Sequence, residues 1–126
     1  VNSTTVDNAK LNKVIKKVKL EKFVKSLPNG INEMMSQDGL NISGGEMQRI
    51  GIARALINDP ELIIIDEATN SLDSITENQI LKEINSLNKT VIFVSHRINT
   101  LKYCDKIYYL KRGKLKDAGN YKNFLI

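Results

Sequence analysis

The sequence predicts an α/β protein: a parallel sheet with flanking helices, preceded by an α-helical subdomain. Three observations predict it. Two short, continuously apolar runs rich in β-branched residues, Leu62–Ile65 and Val91–Val94, read as strands buried on both faces. A helical pattern lies between them, and strands alternating with helices build parallel sheets. The first forty residues show three- and four-residue apolar spacing and no strand pattern.

The elements follow in order. Residues 1–7 are polar. From Asn8 to Leu27 the apolar positions Leu11, Val14, Ile15 and Val18, then Leu20, Phe23, Val24 and Leu27, recur at helical spacing, which predicts two helices broken near Lys19. The lysines between them read as a solvated face, with a binding patch as the alternative. Pro28-Asn29-Gly30 is a turn signal. Residues 31–42 form a connection that holds Met34, Met35 and Gly39. A helix is predicted from Gly44 to Ile57, stopped by Asn58-Asp59-Pro60. After the first strand, a helix from Ser74 to Leu87 has Ser74 and Glu77 at capping-box spacing. A short helix near Ile98–Tyr103 leads to a strand at Lys106–Leu110, a turn at Arg112-Gly113, a strand near Leu115 and a terminal helix over 121–126.

Composition limits the function classes. The 126 residues are 41% hydrophobic and 26% charged, which fits one soluble domain with a modest core. The net charge of +5 is compatible with nucleic acid, an anionic surface or a nucleotide and selects none of them. One cysteine, Cys104, excludes an internal disulfide and suits a reducing compartment. No apolar run approaches the roughly 20 residues a membrane span needs. The first ten residues lack an apolar signal-peptide core, so a cytosolic chain is expected unless these residues are a piece of something larger.

Three clusters carry candidate chemistry. Ser43, Gly44 and Gly45 open a helix, whose unpaired N–H groups and partial positive charge attract phosphate; glycines let backbone approach an anion without Cβ interference. The same segment has a structural reading, because Ser43 and Glu46 have capping-box spacing. Asp66 and Glu67 end the first strand, where ligands bind in open α/β sheets. An aspartate there suits magnesium, which favours oxygen ligands, and an adjacent glutamate suits activation of water. Two acids at a strand-to-loop junction are the plainer alternative. Ser95-His96-Arg97 end the second strand; the imidazole of His96, the one histidine, suits a terminal phosphate or a structural role.

In order and spacing these clusters resemble the C-terminal half of an ABC-type ATP-binding cassette. Ile42-Ser43-Gly44-Gly45-Glu46 stands where that family has its LSGGQ signature, and Met47-Gln48-Arg49 with Ile52–Leu56 matches the helix after it. LIIIDE at 62–67 resembles the Walker B strand, Ala68–Asp73 the D-loop, His96 the switch histidine, and Lys111–Lys114 a hairpin downstream. Ser26–Gly30 and Gly39 resemble the approach used by exporter-type cassettes, with a coupling loop at about Glu33–Gly39. The resemblance covers about 115 residues.

It implies a partial P-loop NTPase-type (RecA-like) sheet over 59–126 and a helical subdomain with coupling loop and signature over 1–58. It implies ATP and Mg²⁺ as ligands, with Asp66 at the metal and Glu67 and His96 catalytic. Ser43, Gly44, Gly45, Glu46 and Asp73 would meet nucleotide. Implied partners are a second cassette in a head-to-tail dimer, a transmembrane domain and the half of the cassette that carries the phosphate loop, at the cytoplasmic side of a membrane, with no nucleic acid. The implied function is ATP-driven export. Alternatives are the C-terminal ATPase half of a chromosome-maintenance or DNA-repair protein, against which the segment before Ile42 lacks coiled-coil heptads, and a non-hydrolytic binding module.

Three departures stand out. Glu46 replaces the usual glutamine, Gln37 sits where exporters carry glutamate, and the 126 residues contain no GxxxxGKS or GxxxxGKT and no Q-loop. Weak ATP affinity, no turnover by these residues alone and self-association through apolar strand edges are therefore expected.

Overall fold

A computed structural model describes residues 7–34 and 42–124. The predicted coupling loop lies largely outside the described residues, as do Met35, Gln37 and Gly39. The chain divides into two compact units, one ending at Val94 and one beginning at Ser95.

In the first unit, α1 (Asn8–Lys17) starts at Asp7, whose side chain accepts from Ala9 N–H. Lys16 and Lys17 close it, where cations favour the helix dipole. The predicted break falls at Lys19, which takes a left-handed φ of 58° and lets the chain restart as α2 (Glu21–Ser26). One 3₁₀ turn, Gly30–Asn32, follows the Pro28-Asn29 turn. Next come α3 (Gly44–Leu56), β1 (Leu62–Asp66), α4 (Ser74–Asn85) and β2 (Thr90–Val94). The core joins Val14, Ile15, Val18 and Leu20 of the first helices to Ile52 and Leu56 of α3, Ile63 and Ile65 of β1, and Ile80 and Ile84 of α4.

β1 and β2 pair in parallel, from Leu62 opposite Thr90 to Asp66 opposite Val94. The structure corrects the reading of both strands as buried on two faces. Ile63 and Ile65 are buried, but Ile64 is 62% exposed, and Leu62, Ile92 and Val94 are about half exposed. One face packs on the helices. Among the described residues nothing covers the other face, so the apolar run appears on a half-open, two-stranded sheet.

The second unit holds α5 (Ile98–Leu101), β3 (Ile107–Lys111), β4 (Lys114–Gly119) and α6 (Tyr121–Phe124). β3 and β4 form an antiparallel hairpin. Its two-residue turn has φ of 51° at Arg112 and 71° at Gly113, the positive-φ pair that matches strand twist.

An open apolar sheet face and unpaired strand edges promote association. Light scattering on the purified chain should give a mass above the 14.2 kDa monomer, and Ile64→Lys should lower it. A stable monomer would count against this account.

Candidate functional site

The site begins where β1 ends. Glu67 N–H donates to Val94 O at 2.9 Å, one residue beyond the paired β1–β2 segment. Glu67 itself adopts a left-handed φ of 49°, a conformation that is uncommon outside glycine and costs about 1–3 kcal/mol. That reversal turns the chain out of the sheet into the loop 67–73. The Glu67 carboxylate accepts from Asn70 Nδ2 at 3.0 Å, and Asn70 N–H donates to Glu67 O at 3.2 Å.

Each following turn of the loop has its own anchor. Thr69 is buried, and its hydroxyl donates to Glu77 Oε1 at 2.8 Å. Ser71 N–H donates to Gln48 Oε1 at 2.8 Å. Leu72 enters the core. Asp73 caps α4, accepting from Ile75 N–H at 3.1 Å and Thr76 N–H at 2.9 Å. The Thr76 side chain, then its N–H, holds the Asp73 carboxyl below its ordinary value of 3.8.

The expected Ser74/Glu77 capping box is therefore corrected. Asp73 is the cap, Ser74 is the first helical residue, and Glu77 falls one position too far along. Glu77 turns inward instead and is fully buried against Thr69.

The other side of the site is the start of α3. Ser43 and Glu46 form a complete capping box. Ser43 Oγ accepts from Glu46 N–H at 3.2 Å, and Glu46 Oε2 accepts from both Ser43 N–H and Ser43 Oγ–H at 2.8 Å. The Ser43 N–H, then its hydroxyl, holds the Glu46 carboxyl below its ordinary 4.5.

The glycines have a reason beyond the one the sequence suggested. A Cβ on Gly44 would lie 3.4 Å from Ser71 Oγ. One on Gly45 would lie 3.2 Å from Ser71 O and 3.5 Å from Leu72 Cδ2. Glycine here lets the loop 67–73 dock directly on the first turn of α3, whatever else approaches that turn.

Two site residues escaped the sequence reading. Gln48 holds Ser71. Arg49 donates through Nε to Gly45 O at 3.3 Å and through Nη1 to Lys19 O at 3.1 Å, tying α3 to the break between α1 and α2. Their positions three and four residues beyond Gly45, on neighbouring helical turns, were the available signal.

Ser43, Gly44, Gly45, Arg49, Ser71, Leu72, Asp73 and Thr76 line a cleft of about 410 Å³. Of the residues singled out in the sequence, four thus share one cleft: Ser43, Gly44, Gly45 and Asp73. Glu46 lies in the cap behind it. Asp66 and Glu67 are exposed at the end of β1, in the same unit. His96 is exposed, two residues beyond the end of β2, and belongs to the second unit. Among the described residues no group of three or more His, Cys, Asp or Glu is arranged around a common point for a metal ion.

The family model for ABC transporters matches residues 1–70, more than half of the chain. The chain belongs to the ABC transporter family. It is 38% identical over 119 residues to the heterocyst differentiation ATP-binding protein HepA of Nostoc sp., covering 93% of this chain and 20% of that protein. It is 37% identical over 137 residues to the alpha-hemolysin translocation ATP-binding protein HlyB of Escherichia coli, covering 99% of this chain and 19% of HlyB. A bacterial Atm1-family ABC exporter solved with ATP bound superposes with a TM-score of 0.84 at 33% identity, over 96% of this chain and 22% of that one. The chain thus spans about a fifth of the length of these relatives. It corresponds to part of an exporter-type nucleotide-binding domain, with a partial P-loop NTPase fold.

Two predictions concern the caps. Ser43→Ala should lower stability by about 1 kcal/mol, the usual worth of an N-cap, read as a shift in the denaturation midpoint. Glu46 and Asp73 titrate lower in the folded chain than in the unfolded one, so below their ordinary values the unfolded chain binds more protons. Their contribution is complete above pH 4.5 and is lost as pH falls through the depressed folded values. Thermal midpoints measured from pH 6 downward should show that loss, and Glu46→Ala should shrink it.

Proposed function

We propose that this chain is the signature-bearing part of a cassette that couples ATP binding and hydrolysis to export across a membrane. One observation carries the reading: the first turn of α3 and the loop leaving the acidic end of β1 are docked into a single cleft. That juxtaposition joins a helix N-terminus suited to phosphate with a strand end suited to phosphoryl chemistry.

In this reading Ser43, Gly44 and Gly45 face the terminal phosphate of an ATP held by a second, head-to-tail cassette. Glu46 supports them by capping the helix, and Asp73 fixes the far end of the loop. Glu67 serves the nucleotide of its own cassette by orienting and deprotonating the attacking water, and the His96 imidazole bonds the terminal phosphate. The strained backbone at Glu67 supports that assignment, since such conformations persist where surrounding contacts over-determine them and cluster at active sites.

Asp66 offers one exposed carboxylate at the strand end. That fits magnesium, which is held in nucleotide sites by one or two carboxylates, with phosphate and water completing its shell. Magnesium would neutralise charge on the phosphates, while positioning falls to the chain's own residues.

Residues 1–58 are read as the helical subdomain and 59–126 as part of the RecA-like core. The partners are the phosphate-loop half of the cassette, which would cover the open sheet face, a second cassette and a transmembrane domain. The site would work on the cytoplasmic side of the membrane.

The test uses the complete transporter. Glu67→Gln should lower ATP turnover by about a hundred- to ten-thousandfold with ATP binding retained. Turnover within threefold of the parent would overturn the role of Glu67. The 126 residues alone should show no hydrolysis above background.

A further inference from the structure

Ser71 is gripped from three directions by α3. Its carbonyl and hydroxyl occupy the space that side chains on Gly45 and Gly44 would need. Its N–H donates to Gln48 Oε1 at 2.8 Å. The two glycines permit the approach, and only the third contact is an attraction that sets its distance and register. The side-chain amide must present its oxygen, because a backbone N–H needs an acceptor.

Gln48 is itself well braced. It sits one turn into α3, half-buried. Its neighbour Arg49 fastens the same turn to Lys19 O at 3.1 Å. The helix is thereby tied to the α1–α2 break on one side and to the loop 67–73 on the other. That loop starts at Glu67, where Asn70 contacts both the backbone and the carboxylate, and Ser71 is the next residue after Asn70.

We infer that Gln48 is a positioning residue that fixes Glu67 relative to the first turn of α3, acting through Ser71 and Asn70. The role rests on the assignment of ATP chemistry to Glu67 and to the α3 N-terminus. In the dimer proposed above, α3 meets the nucleotide of the second cassette while Glu67 serves the nucleotide of its own. The Gln48–Ser71 bond then carries the position of one site to the other. Ser71 is exposed, so water replaces the lost acceptor when Gln48 is changed. The cost appears in the placement of the loop more than in the stability of the fold.

The experiment uses the complete exporter that contains this cassette, purified in a lipid or detergent environment, with ATPase kinetics and backbone amide exchange as readouts. Gln48→Leu keeps the bulk and removes the acceptor; Gln48→Glu keeps an acceptor oxygen. Gln48→Leu should lower kcat about five- to tenfold, the usual worth of one such hydrogen bond, with KM for ATP within twofold of the parent. Gln48→Glu should restore kcat to within twofold. Amide exchange at residues 70–72 should quicken in Gln48→Leu and not in Gln48→Glu, while exchange at Ile80 and Ile84 stays at the parental rate. Gln48→Ala provides the same loss of acceptor should Gln48→Leu accumulate poorly.

The inference is overturned if Gln48→Leu keeps parental kcat, if Gln48→Glu falls as far as Gln48→Leu, or if exchange quickens equally at Ile80 and Ile84. Glu67→Gln, run in parallel, separates the two levels. Parental turnover in Glu67→Gln removes the reading of the site and the inference with it. An inactive Glu67→Gln beside a fully active Gln48→Leu removes the role of Gln48 alone.

Discussion

The close approach of the loop 67–73 to the first turn of α3 constrains most of what surrounds it. At Gly45 the nearest neighbour of a would-be Cβ is a backbone oxygen, 3.2 Å away. That oxygen cannot retreat without moving Leu72, which is locked in the core. Gly44 is less constrained, since its neighbour is the Ser71 hydroxyl, the end of a short side chain. The approach also needs a rigid helix to dock on. The Ser43–Glu46 capping box closes the open end of α3, and Arg49 ties its second turn to Lys19 O.

The loop is as firmly specified as the helix, by a succession of different interactions. Asn70 meets Glu67, Thr69 meets Glu77, Ser71 meets Gln48, Leu72 fills the core and Asp73 caps α4. The Thr69–Glu77 contact is the unusual one. A carboxylate is expensive to bury, and removing one partner of a buried polar pair costs far more than the pair contributes net. Such a contact therefore fixes where Thr69 sits more than it adds to stability. A loop pinned at so many points can hold Glu67 in its left-handed conformation, which a mobile loop would relax.

What the sequence made legible was local. The break at Lys19, the bounds of α3 and the Arg112-Gly113 turn depend on spacing and on residues within one turn of each other, and the structure has all three. The misreadings were of competition between neighbouring caps and of contacts across the fold. Ser74 and Glu77 match the capping pattern as well as Ser43 and Glu46 do. The winner at α4 is Asp73, because shifting the helix start by one residue gives two backbone N–H groups a carboxylate. Glu77 turns inward and accepts from Thr69, a partner eight residues away. The apolar run of β1 promised two covered faces, and only the face carrying Ile63 and Ile65 is covered among the described residues. The Gln48 contact spans 23 positions; spacing within α3 places Gln48 near Gly45 but names no partner across the fold.

The acid at position 46 gains a physical account from the same geometry. A carboxylate at a helix N-terminus is favourable to the helix and unfavourable to a second anion arriving there. Here it is drawn into the cap. Ser43 N–H and Ser43 Oγ–H both point at Glu46 Oε2, and Glu46 N–H points at Ser43 Oγ. The first-turn amides that have no partner inside the helix are then those of Gly44 and Gly45. A phosphate proposed for this turn would meet backbone from the two glycines before it met the serine hydroxyl. Adding a side chain at either glycine would disturb two surfaces at once: the one that seats Ser71 and the one left open to the anion. The close approach of Ser71 accounts for glycine at the first two positions of this helix, and an anion proposed for the turn would make the same demand, although glycine in a helix interior costs about 1 kcal/mol relative to alanine.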